Sequence, residues 1–267
     1  MGTRHNDDAV SCPGPGLGVR QGPIPTWYSL LMDTLTDDVV EPRYASMSRP
    51  GRVRLLVAAL IGFAVVAVFG LVVIQDRSPL DAFDRWGRQA EDWADNHAAL
   101  VTVLRTIEVT FATVGMIVWT TLVAVAVLSR RRYRAAAFAI AVMIATSLTT
   151  TAIKLALGRG RPEWQDATDL LSSKSFPSGH ASSSAALAGI LIFLAWSFLR
   201  RPAARWAVTV VAVGVWLAVC LDRVLLGRHY PSDVVAGSVL GVSMVLLGIA
   251  VFDPARVHVH GRSRDGR

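Results

Sequence analysis

Cysteine is nearly absent from this chain, which has only Cys12 and Cys220 among its 267 residues. Cys12 lies in a polar segment and Cys220 in an apolar run, so neither belongs to a disulfide framework or a metal-ligand motif. Charged residues are also scarce, at 18% of the chain against roughly 25% in soluble domains. The low charge argues against a soluble fold with a large core.

Secretory-signal and repeat patterns are missing as well. No charged flank followed by an apolar stretch occurs before Leu55, so we expect no secretory signal. No unit recurs at a short regular period, which excludes a solenoid. Hydrophobic residues, in contrast, make up 52% of the chain. Together these properties predict a polytopic membrane protein.

Six segments have close to the roughly 20 apolar residues that a membrane-spanning helix needs. They are residues 54–74, 108–128, 135–153, 180–199, 206–221 and 233–252. We therefore predict an all-α polytopic membrane protein, with a six-helix bundle at residues 51–253. The polar residues 1–50, rich in Pro and Gly, predict a disordered cytoplasmic tail, and residues 254–267 predict a second, short cytoplasmic tail.

Arginine clusters predict how these spans are oriented. They occur before the first span (Arg49, Arg52, Arg54), between the second and third (Arg130, Arg131, Arg132, Arg134) and between the fourth and fifth (Arg200, Arg201, Arg205). The positive-inside rule places these loops and both termini in the cytoplasm, beneath the plasma membrane. A net charge of +7 is also typical of nucleic-acid-binding proteins, but topology explains these arginines, so we expect no nucleic-acid partner.

The first outer loop is acidic and predicts a helix of its own. Ser78 and Pro79 suit the N-cap and first position of a helix. Apolar residues then recur every three or four positions, at Leu80, Phe83, Trp86, Ala90 and Trp93. This stripe fits two alternatives equally, an amphipathic helix lying on the outer leaflet or a helix packed against the bundle.

Three polar motifs interrupt the apolar pattern, and all three reach the predicted outer face. They run from Lys154 to Arg161-Pro162, from Pro177 to His180, and from Arg223 through His229 to Asp233. Ionisable groups are costly at the edges of membrane spans, which makes a functional site their default interpretation. Because the orientation came from arginines in other loops, the convergence of the motifs is an independent indication of one site.

Each residue type in these motifs suits the handling of a phosphoryl group. Lys154, Arg161 and Arg223 supply cations that can surround the group and neutralise charge in its transition state. Ser178 and Gly179 precede a helix N-terminus, which offers free backbone N–H groups and allows close approach of a ligand. In a helical turn, the Asp233 carboxylate can reach the His229 imidazole and leave its other nitrogen free to attack. His180 can protonate the leaving oxygen.

Other polar residues have less specific interpretations. We interpret Arg159, Arg228 and Lys174 as supporting basic residues, and Ser182, Ser183 and Ser184 as small residues that permit close helix packing. Arg105 and Glu108 stand one helical turn apart at the outer end of the second span. They predict either a structural ion pair or a role at the mouth of the site.

At these motifs the sequence resembles the type-2 phosphatidic acid phosphatase superfamily, which shares its site with the vanadium haloperoxidases. The family signature reads Lys-x6-Arg-Pro, Pro-Ser-Gly-His and Ser-Arg-x5-His-x3-Asp. The chain matches each part at the residues given above, and the resemblance covers roughly residues 100–252. One position departs, since Asp222 stands where the family has Ser. Asp222 either accepts from Arg223 and orients it or weakens the affinity for an anion.

The resemblance implies a six-span α-helical fold and a metal-independent lipid phosphatase. His229 would be the nucleophile that forms a phosphohistidine, Asp233 would hold it, and His180 would be the acid. The phosphoryl oxygens would be bound by Lys154, Arg161, Ser178, Gly179 and Arg223. We expect no cofactor, no metal and no obligate protein partner. Polyprenyl diphosphate, phosphatidylglycerophosphate and phosphatidic acid all remain candidate substrates.

Three alternatives place the same residues in another function. An anion transporter would favour polar groups near the bilayer midplane and two corresponding halves, whereas these motifs lie at one face and the halves do not match. A catalytically silent scaffold would favour loss of a histidine, and both His180 and His229 are present. A vanadate-dependent peroxidase is favoured least, because those relatives are soluble.

Overall fold

The computed structural model describes residues 47–75, 79–165 and 173–256, and its regular secondary structure there consists of α-helices. In chain order they are α1 (Arg49–Val73), α2 (Asp81–Asp95), α3 (Ala98–Thr110), α4 (Thr113–Ser129), α5 (Tyr133–Leu157), α6 (Gly179–Phe198), α7 (Pro202–Leu225) and α8 (Pro231–Phe252). Most of the predicted N-terminal tail, and the C-terminal tail from residue 257 onward, lie outside the described residues.

Five of these helices, α1, α5, α6, α7 and α8, are long and apolar enough to cross a membrane. A sixth span requires α3 and α4 together, and that pair is bent by 60°. The prediction of one continuous second span at 108–128 is therefore wrong in detail, since the helix breaks at Phe111 and Ala112. Gly115 allows the sharp bend, because a Cβ there would lie 1.9 Å from the carbonyl oxygen of Thr110.

The helix α8 forms the centre of the bundle and packs against α1, α5 and α6. Two glycines let α6 come close: a Cβ added at Gly237 would lie 2.5 Å from the Ser178 carbonyl oxygen, and one at Gly241 would lie 2.2 Å from that of Ser182. Small residues at a helix interface are the usual means of such backbone approach in membranes. Ser182 is fully buried there and shares a hydrogen bond of 3.0 Å with Thr150 of α5. The N-terminus of α6 is thus held against the start of α8.

The arginine-rich helix ends gather at one end of the bundle. The backbone N–H of Met47, just before α1, donates to Asp253, just after α8, at 2.9 Å. Arg134 at the start of α5 donates to the carbonyl oxygens of Phe252 and Asp253. The opposite end is formed by the C-termini of α5 and α7 and the N-termini of α6 and α8. All three polar motifs lie at that opposite end.

The helix α2 presents different residues to the bundle and to its surroundings. It begins at Asp81 after an N-cap at Leu80, later than the predicted start at Ser78-Pro79, and Ser78 lies outside the described residues. Its buried residues are Asp84, Gly87 and Ala94, whereas Phe83, Trp86 and Trp93 are exposed. A Cβ at Gly87 would lie 2.8 Å from Pro231, so this face sits directly on the start of α8. One face of α2 is therefore packed against the bundle, while the location of its exposed aromatic residues on the outer leaflet stays a prediction.

Candidate functional site

The imidazole of His229 and the carboxylate of Asp233 form the centre of the polar end. His229 lies in the short connection between α7 and α8, and Asp233 lies in the first turn of α8. Their side chains are 3% and 0% exposed, and Nδ1 of His229 is 3.4 Å from Oδ2 of Asp233. The carboxylate therefore reaches the imidazole across one turn, as the spacing predicts. The contact occupies Nδ1 and leaves Nε2 as the nitrogen available for chemistry.

Several other groups hold the Asp233 carboxylate in place. Its Oδ1 accepts from Arg159 at 2.5 Å, and its Oδ2 accepts from the Ser175 hydroxyl and from the Tyr230 backbone N–H at 3.2 Å. The Ser175 hydroxyl also lies 3.5 Å from Nδ1 of His229. Both carboxylate oxygens are thus engaged, and the orientation of Asp233 relative to His229 is well defined.

Burial keeps the His229 imidazole neutral. Removal from water lowers its pKa to about 3, against the raising effect of Asp233, and the nearby cations Arg161 and Lys154 lower it further. A buried imidazole without a net charge retains a lone pair on one nitrogen at physiological pH. A neutral, oriented imidazole is the form of histidine that can act as a nucleophile.

His180 lies on the first turn of α6 and faces the broken span. Its Nε2 is 3.3 Å from the backbone carbonyl oxygen of Glu108 in α3, so that nitrogen carries the proton in this arrangement. His180 is only partly buried, in contrast to His229. It enters the site from α6, whereas His229 lies in the connection between α7 and α8, and the two histidines are at the same end of the bundle.

Two of the predicted cations brace the segment that precedes α6. Lys154, in the last turn of α5, donates from Nζ to the carbonyl oxygens of Lys174 at 2.6 Å and Ser175 at 3.0 Å. Arg161 donates to the Ser173 carbonyl at 2.8 Å and to the Arg228 carbonyl at 2.6 Å. Burial lowers the pKa of Arg161 to about 10, which leaves the guanidinium charged at neutral pH.

Gly158 accounts for the direction in which the chain leaves α5. It caps the helix in the left-handed conformation with a φ of 65°, which glycine adopts without a Cβ penalty. The turn sends the chain back across the end of the bundle, so that Arg159 and Arg161 lie over the start of α8. Both arginines consequently reach groups near His229.

The third predicted cation, Arg223, is held by two carboxylates. It lies near the end of α7 and is 1% exposed. Asp222 accepts from its Nε at 2.7 Å and also from Nη2, and Glu108 accepts from Nη1 at 2.9 Å. Asp222 thus makes the orienting contact that the sequence left as one alternative. The Arg223 carbonyl oxygen also accepts from the His229 backbone N–H at 3.1 Å, which joins Arg223 to the central pair.

Glu108 takes a larger part in the site than the sequence indicates. Its carboxylate accepts from Arg223 and, at 3.2 Å, from Nε of Arg228, while its backbone carbonyl contacts His180. The side chain is 19% exposed, so it lies at the rim of the site and not in the core. The structure thus gives Glu108 ion pairs with Arg223 and Arg228, and its role at the mouth of the site stays a prediction.

Ser178 and Gly179 form the N-terminus of α6. Ser178 is the N-cap, and its hydroxyl accepts from the Ala181 backbone N–H at 3.4 Å. The Ser178 backbone N–H donates to the Asp233 carbonyl oxygen at 3.0 Å, which links the first turns of α6 and α8. The structure thus brings all eight predicted site residues together at one end of the bundle.

Three residues at this site were missed or underrated from the sequence. Arg159 was interpreted as a supporting cation, yet it bonds directly to Asp233. Asp84 of α2 accepts from Arg159 at 2.6 Å, and Ser175 donates to Asp233. The one available signal for Asp84 was its spacing from Gly87 and Ala94, which puts a carboxylate on the small-residue face of an amphipathic helix. Ser175 has no comparable signal.

No metal ligand cluster is found among the described residues: nowhere in 47–75, 79–165 or 173–256 do three His, Cys, Asp or Glu side chains come together to hold a metal ion.

Residues 135–256 match the PAP2 superfamily. Two lipid A 1-phosphatases, from Rhizobium johnstonii and Rhizobium etli, are 35% and 34% identical to this chain over 106 residues, which is 36% of its length. The match spans about two fifths of the length of these curated relatives, 39% and 41% respectively. All eight predicted site residues, from Lys154 to Asp233, fall inside residues 135–256. The helices α2, α3 and α4 precede this matched region.

A solved structure has a similar fold. It is the crystal structure of a transmembrane PAP2-type phosphatidylglycerolphosphate phosphatase from Bacillus subtilis. The TM-score is 0.60 at 21% sequence identity, and the likeness covers 71% of this chain and 93% of that chain. The predicted all-α, multi-pass membrane fold is confirmed.

Proposed function

We propose that this chain, a multi-pass membrane protein that carries a PAP2 superfamily domain at residues 135–256, is a phosphatase acting on a lipid phosphate or diphosphate through a phosphohistidine intermediate. The observation that carries the proposal is the buried, neutral His229 held through Nδ1 by Asp233. Its Nε2 is left as a nucleophile at the same end of the bundle as Lys154, Arg161 and Arg223.

The first chemical step transfers the phosphoryl group to His229. A bond forms between Nε2 and phosphorus while the bond from phosphorus to the leaving oxygen breaks, and the doubly protonated, imidazolium form of His180 donates a proton to that oxygen and becomes neutral. The positive charge that develops on the imidazole is stabilised by Asp233. In the second step a water attacks the phosphorus, His180 accepts its proton, and phosphate leaves with His229 restored. The products are phosphate and a lipid alcohol, or a lipid monophosphate when the substrate is a diphosphate.

The cations retain donors for the phosphoryl oxygens. An ammonium has three N–H donors and a guanidinium five. Their contacts with the described residues use two donors on Lys154 and three each on Arg161 and Arg223. Asp222 accepts from Nε and from one N–H of Nη2, and Glu108 accepts from one N–H of Nη1, so each terminal nitrogen of Arg223 keeps a second N–H. Such donors, with the N-terminus of α6, suit a trigonal transition state whose charge is spread over three oxygens.

The substrate class follows from where the site lies. The polar end coincides with the ends of the candidate spans, so a phosphate there is at the depth of a lipid headgroup, and the tails can lie along the bundle. The names of the relatives add lipid A 1-phosphate to polyprenyl diphosphate, phosphatidylglycerophosphate and phosphatidic acid as candidates. Purified protein in detergent with EDTA is expected to release phosphate from at least one of these four. Release from none of them, or release that requires an added divalent metal, would contradict the proposal.

The site faces the extracytoplasmic side in this proposal, and both termini are cytoplasmic. The support is the gathering of the arginine-rich loops at the end opposite to His229. In a chain whose two cysteines are replaced by serine, Leu170→Cys is expected to react with a membrane-impermeant maleimide in intact cells. The matched variant Ser129→Cys, at the arginine-rich end, is expected to react only after permeabilisation. The reverse pattern would overturn the orientation.

A further inference from the structure

A line of buried ionic contacts runs from the helix α2 to the central carboxylate. Asp84 is 4% exposed, and its Oδ2 accepts from Nη2 of Arg159 at 2.6 Å. Nη1 of the same guanidinium donates to Oδ1 of Asp233 at 2.5 Å, and Asp233 contacts His229. The order is therefore Asp84, Arg159, Asp233 and His229, and its outermost member lies outside the residues that match the superfamily.

Arg159 is fixed on several sides at once. Besides the two carboxylates, Nη1 donates to the Ser232 hydroxyl at 2.9 Å, and the guanidinium carbon lies 4.0 Å from the centre of the Tyr230 ring. Ion pairs with Asp233 and Asp84 raise the pKa of Arg159 in spite of the opposing effect of burial. A planar guanidinium can bridge two carboxylates in this way, whereas an ammonium offers a single point of contact.

The bridge decides which oxygen of Asp233 faces His229. Arg159 occupies Oδ1, so Oδ2 is the oxygen left to Nδ1 of His229, Ser175 and the Tyr230 N–H. Without Arg159, the buried carboxylate would lose the donor that holds Oδ1, and only the contacts to Oδ2 would restrain its rotation. The imidazole tautomer depends on that rotation, because Nδ1 must carry the proton for Nε2 to attack.

We propose that Asp84 and Arg159 are positioning residues for the reaction: Asp84 holds the guanidinium of Arg159, which in turn holds Asp233 in the orientation that sets the tautomer of His229. This inference rests on the proposed phosphatase function. It makes α2 part of the catalytic apparatus in addition to a cover over the start of α8.

The alternative is that Asp84 only attaches α2 to α8, and an experiment must distinguish this role from the positioning of Arg159. Oδ1 of Asp84 accepts from the Ser232 backbone N–H at 2.9 Å, and Oδ2 accepts from the Ser232 hydroxyl at 2.8 Å. In Asp84→Asn the amide oxygen can keep the first bond and the amide nitrogen can donate to the hydroxyl. The variant therefore preserves the attachment of α2 to α8, but it removes the acceptor for Arg159.

The first experiment compares kcat, KM and Tm of purified variants on whichever lipid phosphate the wild-type protein hydrolyses best. Asp84→Asn is expected to lower kcat roughly 10- to 100-fold, since misplacement of a catalytic group by about 1 Å has effects of that order. KM and Tm should stay close to the wild-type values. Arg159→Lys should retain more activity than Arg159→Gln. Asp92→Asn, an exposed carboxylate on the same helix, is the matched control and should behave as the wild type.

A double variant tests whether the two residues act in sequence. Asp84→Asn combined with Arg159→Gln is expected to be no slower than Arg159→Gln alone, because Asp84 acts only through Arg159. Equal fold losses in both backgrounds would overturn the inference. So would wild-type kcat with a lowered Tm in Asp84→Asn, which indicates docking alone, or an increased KM at unchanged kcat, which indicates a substrate contact.

A spectroscopic measurement keeps the inference testable apart from activity. In ¹⁵N-histidine NMR spectra the His229 signal, assigned by its loss in His229→Asn, is expected to show the Nδ1–H tautomer in the wild type. Asp84→Asn and Arg159→Gln should shift it toward the other tautomer, and Asp92→Asn should not. An unchanged His229 signal in all variants would overturn the positioning role. Failure of the wild-type protein to release phosphate from any lipid would instead refute the proposed function.

Discussion

Replacement of His229 by alanine is expected to abolish phosphate release, with a loss on the order of 10⁴-fold or more in kcat, as for loss of a nucleophile in other covalent mechanisms. The reason is that phosphoryl transfer in the proposed mechanism runs through Nε2 of His229, and among the described residues His229 is the one imidazole in contact with Asp233. The measurement is phosphate release from the preferred lipid in detergent. His97→Ala, an exposed histidine on the outer side of the bundle, is the control and should retain full activity.

A milder substitution separates chemistry from folding. In His229→Asn the side-chain N–H can still donate to Asp233, while the attacking nitrogen is gone. This variant should therefore keep a Tm near that of the wild type and be as inactive as the alanine variant. The wild type, quenched during turnover of a ³²P-labelled substrate, should carry an acid-labile label that both variants lack. Turnover at the wild-type rate in either His229 variant would refute a phosphohistidine mechanism.

Replacement of His180 by alanine should have the second largest effect, and its size should depend on the leaving group. General acid catalysis contributes typically about 10²- to 10⁴-fold, so a lipid alkyl phosphate, whose alkoxide leaves poorly, should slow by that factor. A soluble 4-nitrophenyl phosphate needs little protonation on departure and should slow far less. In the proposed mechanism the proton comes from the imidazolium form of His180, whose Nε2 lies 3.3 Å from the Glu108 carbonyl oxygen in the resting arrangement.

The informative quantity in that experiment is the fold loss of rate on the lipid phosphate divided by the fold loss on 4-nitrophenyl phosphate. His180→Gln can still donate a hydrogen bond but cannot transfer a proton at neutral pH, so it should show the same dependence on the leaving group as alanine. An equal loss on both phosphates would mean that His180 binds the phosphoryl group instead of acting as an acid. Wild-type rates on both would remove it from the mechanism.

The helical spans could be predicted because length and apolar composition decide whether a helix crosses a bilayer. The break between α3 and α4 could not, since Phe111 and Ala112 are not helix-breaking residues by intrinsic preference. It depends on Gly115, which tolerates the Thr110 carbonyl at a distance that no side chain would allow. A glycine in an apolar run has many possible roles, and only the surrounding helices select this one.

The predicted site residues come together because each motif stands at the end of a span, and span ends on one side of the membrane are neighbours. Asp84 escaped prediction because the loop contains several other acidic residues, and its spacing from Gly87 and Ala94 is a weak signal beside them. Glu108 was paired with Arg105 by their spacing along one helix, whereas its carboxylate also reaches Arg223 of α7. Contacts between helices far apart in the chain have no periodic signature, so these partners require the folded structure.

The central position of α8 has a consequence for how the protein is made. In the most apolar stretch of α8, 67% of the helix is buried, against 28% in the corresponding stretches of α1 and α7. Nevertheless α8 is synthesised last, after the seven other helices of the described residues. Until the ribosome has completed it, α1 lacks the helix on which it packs, α6 has α7 but not α8 beside it, and His229 lacks Asp233. In the proposed mechanism a nascent chain therefore cannot act on a lipid phosphate during insertion, because the site is complete only after α8 has entered and closed the bundle.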